Sequence, residues 1–85
     1  MNRIKRIENL LKKHLKDFSI SIEDNSHLHK GHGNFDGRYE THLRLILKPN
    51  NNNQYDRLKI HKRINNILKV EFLNGLNALE IKIIN

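Results

Sequence analysis

The sequence predicts a small α+β domain in which two amphipathic helices cover one face of a three-stranded sheet. Apolar residues recur with helical spacing in two stretches, and they alternate with polar residues in three others. The chain has 85 residues, a length that suits one domain with one modest core. We therefore predict a single domain over residues 1–85. It is a two-layer sandwich with the order helix, strand, strand, helix, strand.

The first helix is predicted from Arg3 to Lys16, because its apolar residues form one stripe. That stripe comprises Ile4, Ile7, Leu10, Leu11 and Leu15. From Phe18 to Glu23 the spacing changes to strict alternation, which predicts a half-buried strand. A second strand is predicted from Tyr39 to Lys48, ending before Pro49 because proline has no N–H to donate. Consecutive strands of this kind are expected to pair antiparallel.

The second helix is predicted from Arg57 to Leu73. Its core stripe comprises Ile60, Ile64, Ile67, Leu68 and Phe72. Asn74-Gly75 is a typical left-handed helix stop. The last strand is predicted from Leu76 to Ile84 by alternation. Since this helix joins the second and third strands as a crossover, those two strands can lie parallel.

The composition limits the classes of function. Sixteen Lys and Arg against nine Asp and Glu give a net charge of +7, which attracts nucleic acid or other acidic partners. A merely solvated basic surface explains the same charge equally well. The absence of Cys excludes disulfides, thiolate zinc sites and a thiol nucleophile. The sequence has no signal-peptide core and no apolar run of about 18 residues. We therefore expect a cytoplasmic protein with no membrane partner.

Three histidines fall within six residues of a segment rich in turn formers. His27, His29 and His32 lie among Gly, Asn and Ser residues that favour a loop. Such imidazoles can hold a metal, share one with a partner, or meet phosphate when protonated. Solvated loop histidines are the simpler alternative, and a histidine cluster alone names no metal.

Four stretches of the chain resemble, in the same order, motifs of bacterial BolA-like proteins. They are Asp24–His32, Glu40–Leu45, Ile60–Asn65 and Asn77–Ile81. The family patterns are Asp-x-Ser-x-x-His-x-Gly-His, Glu-Thr-His-Phe-Arg-Val, Arg-His-Arg-Met-Val-Asn and His-Ala-Leu-Ala-Ile. The resemblance implies a fold like class II KH domains, although the KH-type Gly-x-x-Gly loop is absent from this sequence.

The resemblance also implies a non-enzymatic function, and no nucleophile–base pair or acid pair in the sequence points to an enzyme. Family members dock monothiol glutaredoxins and share a [2Fe–2S] cluster with them, in iron–sulfur trafficking and iron regulation. Some bind DNA as transcriptional regulators of stress response and cell shape. The alternative function is therefore DNA binding, weak and without base reading, through the basic second helix. Its candidate residues are Arg57, Lys59, Lys62 and Arg63.

In the implied complex, glutaredoxin supplies a thiolate and glutathione, and the BolA-like partner supplies histidine ligands. His29 stands at one family ligand position, but Asn77 stands at the other. An amide is a poor ligand for such an iron. Either another histidine completes the site, or the protein docks without full ligation. The candidates are His32, His42 and His61, whereas His14 and His27 are expected to be surface residues. We expect no cofactor on the protein alone, and an apo homodimer stays open.

Overall fold

The structure of the chain is a computed structural model, which describes residues 2–26 and 40–84. Its elements are α1 (Arg3–His14), β1 (Phe18–Asp24), β2 (His42–Pro49), α2 (Arg57–Ile67), α3 (Lys69–Leu73) and β3 (Ala78–Ile83). The strands lie in the order β1-β2-β3. β1 pairs antiparallel with β2, and β2 pairs parallel with β3. The predicted α+β architecture and both strand pairings are confirmed.

The first helix begins where the sequence predicts and ends two residues early. The side chain of Asn2 accepts a hydrogen bond from the Lys5 N–H and caps the helix. Leu15 leaves helical geometry with φ −122° and ψ 63°, although its N–H still donates to the Leu11 carbonyl. Leu15 remains buried in the core, so it packs as predicted although it lies just outside the helix.

The predicted second helix is wrong as a single element, because it breaks at Leu68. This buried residue has φ −97° and ψ 12°. Its carbonyl accepts the N–H groups of Glu71 and Phe72 at 2.9 and 3.2 Å, which starts a new helical turn. The break leaves Leu68 buried in the core and divides the predicted helix into α2 and α3. Gly75 has φ +116°, which confirms the left-handed stop predicted after α3.

The boundaries of β2 and β3 also differ from the prediction. Glu40 has φ +63°, a left-handed conformation that a strand cannot continue, and β2 therefore begins only at His42. Pro49 belongs to β2, opposite Phe18, so the prediction that the strand ends before proline was wrong by one residue. A proline at the last position costs at most one ladder bond. β3 is shorter than predicted at both ends.

The helices cover one face of the sheet. The buried apolar core comprises Ile7, Leu11, Leu15, Phe18, Leu43, Leu45, Leu47, Ile60, Ile64, Leu68, Leu76 and Ile83. On the opposite face Arg44 lies between two carboxylates, 3.6 Å from Glu23 and 3.7 Å from Glu80. That face is therefore polar. Within residues 2–26 and 40–84, no helix is both long and apolar enough to cross a bilayer.

Two ends of the sheet matter for function. At the loop end, β1 finishes at Asp24 while β2 and β3 begin. At the far end, β1 begins at Phe18 and β2 finishes. A seven-residue strand separates the two ends by about 20 Å.

Candidate functional site

Ser26 is the centre of a hydrogen-bond network at the loop end. Its fully buried hydroxyl donates to Asp24 Oδ1 at 2.6 Å. The same Oγ accepts the backbone N–H groups of Thr41 at 2.9 Å and His42 at 3.1 Å. One side chain therefore joins the end of β1 to the start of β2.

Asp24 and Glu40 complete this anchor. Asp24 accepts the Ser26 N–H with Oδ1 and the Glu40 N–H with Oδ2, both at 3.0 Å. Glu40 in turn accepts the Ile4 N–H with Oε1 at 3.0 Å. A non-glycine residue at positive φ costs of order 1 kcal/mol. The hydrogen bonds around Glu40 stabilise that conformation and fix where the chain re-enters the sheet.

A buried ion pair connects this anchor to the helices. Glu71 is only 5% exposed, and its two carboxylate oxygens lie 3.0 Å from Arg3 Nε and 2.9 Å from Arg6 Nε. The hydrogen bond from Arg6 is the main cause that lowers the pKa of Glu71, with Arg3 adding to it against the opposing effect of burial. Arg3 also donates to the carbonyls of Glu40 and Asn74. One guanidinium thus holds α1, the end of α3 and the loop end together.

Asn77 lies at the loop end, immediately before β3. Its N–H donates to the Thr41 carbonyl at 2.8 Å, and the Ala78 N–H donates to the same oxygen at 3.2 Å. The residue is exposed. The parallel pairing of β2 and β3 therefore places the amide of Asn77 beside the chain that leads out of the histidine segment.

The predicted imidazole ligands are only partly placed by the structure. His29 and His32 lie outside the described residues. His42 begins β2 opposite Ala78, and its Nδ1 is 3.0 Å from Thr41 Oγ1. His61 lies in α2, next to Ile60, which lines a cleft at the far end. Among the placed candidates, the fold thus brings His42 and Asn77 to the same end.

The nitrogen Nε2 of His61 is buried and has no hydrogen-bond partner in the described part of the chain. In residues 2–26 and 40–84, no three His, Asp or Glu side chains gather closely enough to hold a metal ion. At Asn77, immediately before β3, the side chain that could ligate a metal is an amide rather than an imidazole. The described end of the site therefore lacks the family's second histidine ligand.

The predicted nucleic-acid residues are all exposed on α2, but they do not form one face. At about 100° per residue, Lys59, Lys62 and Arg63 share a sector of about 100°, while Arg57 lies well outside it. Arg63 Nη2 donates to the His14 carbonyl at 2.6 Å. This contact draws the Arg63 guanidinium towards the end of α1.

Two features of the loop end were missed in the sequence. The first is the buried anchor of Ser26 and Glu71, for which the Asp-x-Ser spacing and the arginines at positions 3 and 6 were available signals. The second is an exposed apolar pair on α3, Val70 and Leu73, which are 62% and 75% exposed. The pair was missed because α3 was predicted as part of one longer helix, and the break at Leu68 that makes α3 a separate helix was not predicted.

A family model and two solved structures identify the family of this chain. A family model described as BolA-like protein matches residues 2–85. The BolA domain of SufE1 from Arabidopsis thaliana has a similar structure, with a TM-score of 0.79, 31% identity, and coverage of 98% of this chain and 91% of that one.

BolA1 from Arabidopsis thaliana is also similar, with a TM-score of 0.77, 31% identity, and coverage of 98% and 90%. An uncharacterized protein of the cobS 5′ region in Sinorhizobium sp is 34% identical over 64 residues, covering 74% of this chain and 69% of that protein. Sequence and fold agree on one conclusion: the chain belongs to the BolA-like protein family.

Proposed function

We propose that this protein is a non-enzymatic adaptor that docks a monothiol glutaredoxin carrying a [2Fe–2S] cluster, in iron–sulfur trafficking or iron regulation. The observation that carries the proposal is the construction of the loop end. There, buried hydrogen bonds anchor both described sides of the histidine segment, at Ser26 and at Thr41. Fixed attachment points of this kind are suited to support a segment that presents ligands to a partner.

The exposed apolar pair of α3 provides a docking surface near Glu40, at the loop end. Leu73 immediately precedes Asn74, whose carbonyl accepts from Arg3 Nη2 at 2.7 Å. Nη1 of the same guanidinium donates to the Glu40 carbonyl at 2.6 Å. The end of α3 therefore lies against the loop end, and Val70 and Leu73, three residues apart on this helix, expose apolar surface there. Such a surface is typical of a protein interface.

On the BolA-like side, this adaptor lacks the family's second histidine ligand. Imidazole can replace thiolate on one iron of a [2Fe–2S] cluster, but Asn77 offers an amide where the family has histidine. Of the described imidazoles, His42 is at the right end, yet its Nδ1 contacts the Thr41 hydroxyl. We infer that glutaredoxin and glutathione hold the cargo cluster, with His29 as this chain's main ligand. His32, His42 and His61 stay candidate second ligands.

Docking is tested by placing a charge on the apolar pair. We expect Leu73→Asp to weaken binding to a cluster-loaded monothiol glutaredoxin at least tenfold by isothermal titration calorimetry, roughly the cost of a central interface residue. Leu58→Asp is the matched control, because Leu58 is 63% exposed but lies at the start of α2. Equal losses from the two variants, or no loss from Leu73→Asp, would refute this docking surface.

Binding to DNA is a second candidate, favoured by the net charge of +7 and the shared sector of Lys59, Lys62 and Arg63. These side chains can contact phosphates, but no base-reading motif accompanies them. We expect weak, sequence-independent binding that falls steeply between low and physiological salt in a gel-shift titration, because counterion release drives it. Tight binding to one operator at physiological salt would contradict this expectation.

A further inference from the structure

A cleft of about 230 Å³ opens at the far end, where α1 ends, β1 begins and α2 passes. Its lining includes the apolar side chains of Phe18, Tyr55 and Ile60 and the cations Lys13, Lys16 and Arg63. The volume is below the range of about 300–1,000 Å³ that encloses a drug-sized molecule. The cleft is therefore too small to enclose a whole nucleotide, and such a ligand would be held partly exposed, through its base and its phosphate.

The aromatic part of the lining offers a surface for stacking. Phe18 and Tyr55 contact each other with ring centroids 4.6 Å apart and a tilt of 51°. Phe18 is buried and Tyr55 is only half-buried, so Tyr55 is the ring with an open side. Its hydroxyl accepts a hydrogen bond from Asn51 Nδ2 at 3.1 Å, which restrains the ring. A restrained, partly open aromatic ring is a typical platform for a nucleic-acid base.

The cations of the cleft have no acidic partners in residues 2–26 and 40–84. Neither Lys13 nor Lys16 takes part in an ion pair there, whereas the neighbouring Lys12 pairs with Glu8 at 3.1 Å. Three cations outnumber Asp17, the acidic residue of the lining. Stabilisation of the α1 carboxyl end explains a cation in its last turn. It does not explain Lys16, which lies outside that helix.

Arg63 also removes an obstacle to anion binding. The carboxyl end of a helix is negative and repels anions, but Arg63 Nη2 donates to the exposed end of α1 at the His14 carbonyl. Guanidinium has five N–H donors in a planar fork. One contact to a carbonyl therefore leaves donors for a phosphate at the same place.

We propose that this cleft binds a nucleotide, with the base against Tyr55 and the phosphate at Lys13, Lys16 and Arg63. The site goes beyond both functions proposed above, because neither glutaredoxin docking at the loop end nor duplex binding along α2 uses an aromatic cleft about 20 Å from that end. The nucleotide has two sources, a free mononucleotide or one residue of a single strand.

The site is tested by amide chemical shifts of ¹⁵N-labelled protein during titration with AMP, adenosine, inorganic phosphate and a six-residue oligo(dA). We expect AMP or the oligonucleotide to shift residues 15–18 and 60–63 and to leave residues 41–43 unchanged. Saturation by AMP assigns a free nucleotide, and saturation by the oligonucleotide alone assigns a strand. Absence of localised shifts with both probes would overturn the proposal, as would phosphate binding as tightly as AMP.

Variants separate this cleft from general charge. Arg63→Gln is expected to weaken binding of the successful probe about tenfold, the value of a charged hydrogen bond. Tyr55→Leu should weaken it about fivefold or more through lost stacking. Lys82→Gln removes one exposed positive charge from β3, outside the cleft lining, and should change affinity less than about twofold. If Lys82→Gln weakens binding as much as Arg63→Gln, diffuse charge explains the binding and the site is refuted.

Discussion

The two ends of the sheet are built in different ways. At the loop end, Asp24 and Ser26 accept hydrogen bonds from the N–H groups of Ser26, Glu40, Thr41 and His42 and from the Ser26 hydroxyl. At the far end, Lys13, Lys16 and Arg63 surround an open cleft. The polar groups of the loop end are therefore hydrogen-bonded within the protein and hold the chain in place. The far end leaves its charges available to an external ligand.

This difference separates stability from binding in the same small protein. A buried polar group left without its partner costs its full desolvation, whereas an exposed cation contributes little to folding. Substitutions at the loop end should consequently change the free energy of unfolding. Substitutions at the far end should change ligand affinity with almost no effect on folding.

The largest effect is expected from Glu71, which joins α3 to α1 and, through Arg3, to the loop end. Glu71→Ala should lower the free energy of unfolding by about 3 kcal/mol in urea titration, because it leaves the guanidinium of Arg3 without its buried partner. Glu80→Ala is the control, since that carboxylate is exposed and lies 3.7 Å from Arg44. Similar losses of unfolding free energy in both variants would show that burial of the ion pair does not add to stability.

The same carboxylate predicts the pH dependence. Arg6 and Arg3 hold the pKa of Glu71 below its ordinary value of 4.5. Its stabilising contribution is therefore complete above about pH 4.5 and is lost as the pH falls through the lower, folded-state pKa. In Glu71→Gln, stability should fall less between pH 5 and pH 3 than in the wild type. An unchanged slope would contradict the assignment.

An intermediate effect is expected at Ser26. Ser26→Ala leaves the N–H groups of Thr41 and His42 without their hydroxyl acceptor, which should cost about 2 kcal/mol. Ser19→Ala is the control, because it removes the same hydroxyl group from β1. Ser19 is exposed and donates to Asn50 Oδ1. That control should cost less than about 0.5 kcal/mol. A loss at Ser26 as small as at Ser19 would remove the distinction between the two ends.

The smallest effect is expected at the far end. Lys16→Gln should change the free energy of unfolding by less than about 0.5 kcal/mol, because Lys16 is exposed and has no ion pair within the described residues. The same urea titration measures it. A destabilisation comparable with that of Ser26→Ala would show that the cleft cations are structural.

Most of the fold follows from the sequence because hydrophobic spacing determines it. The alternation of Leu43, Leu45 and Leu47, and the stripe on α1, predicted which faces are buried. The break at Leu68 was not predictable, since Leu68 continues the i, i+4 spacing from Ile64 and departs only in its backbone angles. Glu40 gave no signal either, because positive φ is ordinarily marked by glycine or asparagine.

The site was predictable where topology alone decides it. Antiparallel and parallel pairing around β2 bring Asn77 to the start of that strand, which the order of elements implies. The hydrogen bond from Arg63 to the His14 carbonyl depends on how α1 packs near α2. The spacing of residues in the sequence does not predict it. The ligand roles of His29 and His32 stay predictions, as they lie outside the described residues.

The most direct test of the proposed adaptor is the chelator resistance of its cluster complex, followed by absorbance with monothiol glutaredoxin and glutathione. Asn77→His restores an imidazole beside the Thr41 carbonyl and should slow cluster loss at least about tenfold, since loss of even an outer ligand contact costs roughly 10–100-fold in metal affinity. His29→Ala in the same chain should cancel the gain. A wild-type complex already as resistant as Asn77→His would contradict the account and assign the second ligand to His32, His42 or His61.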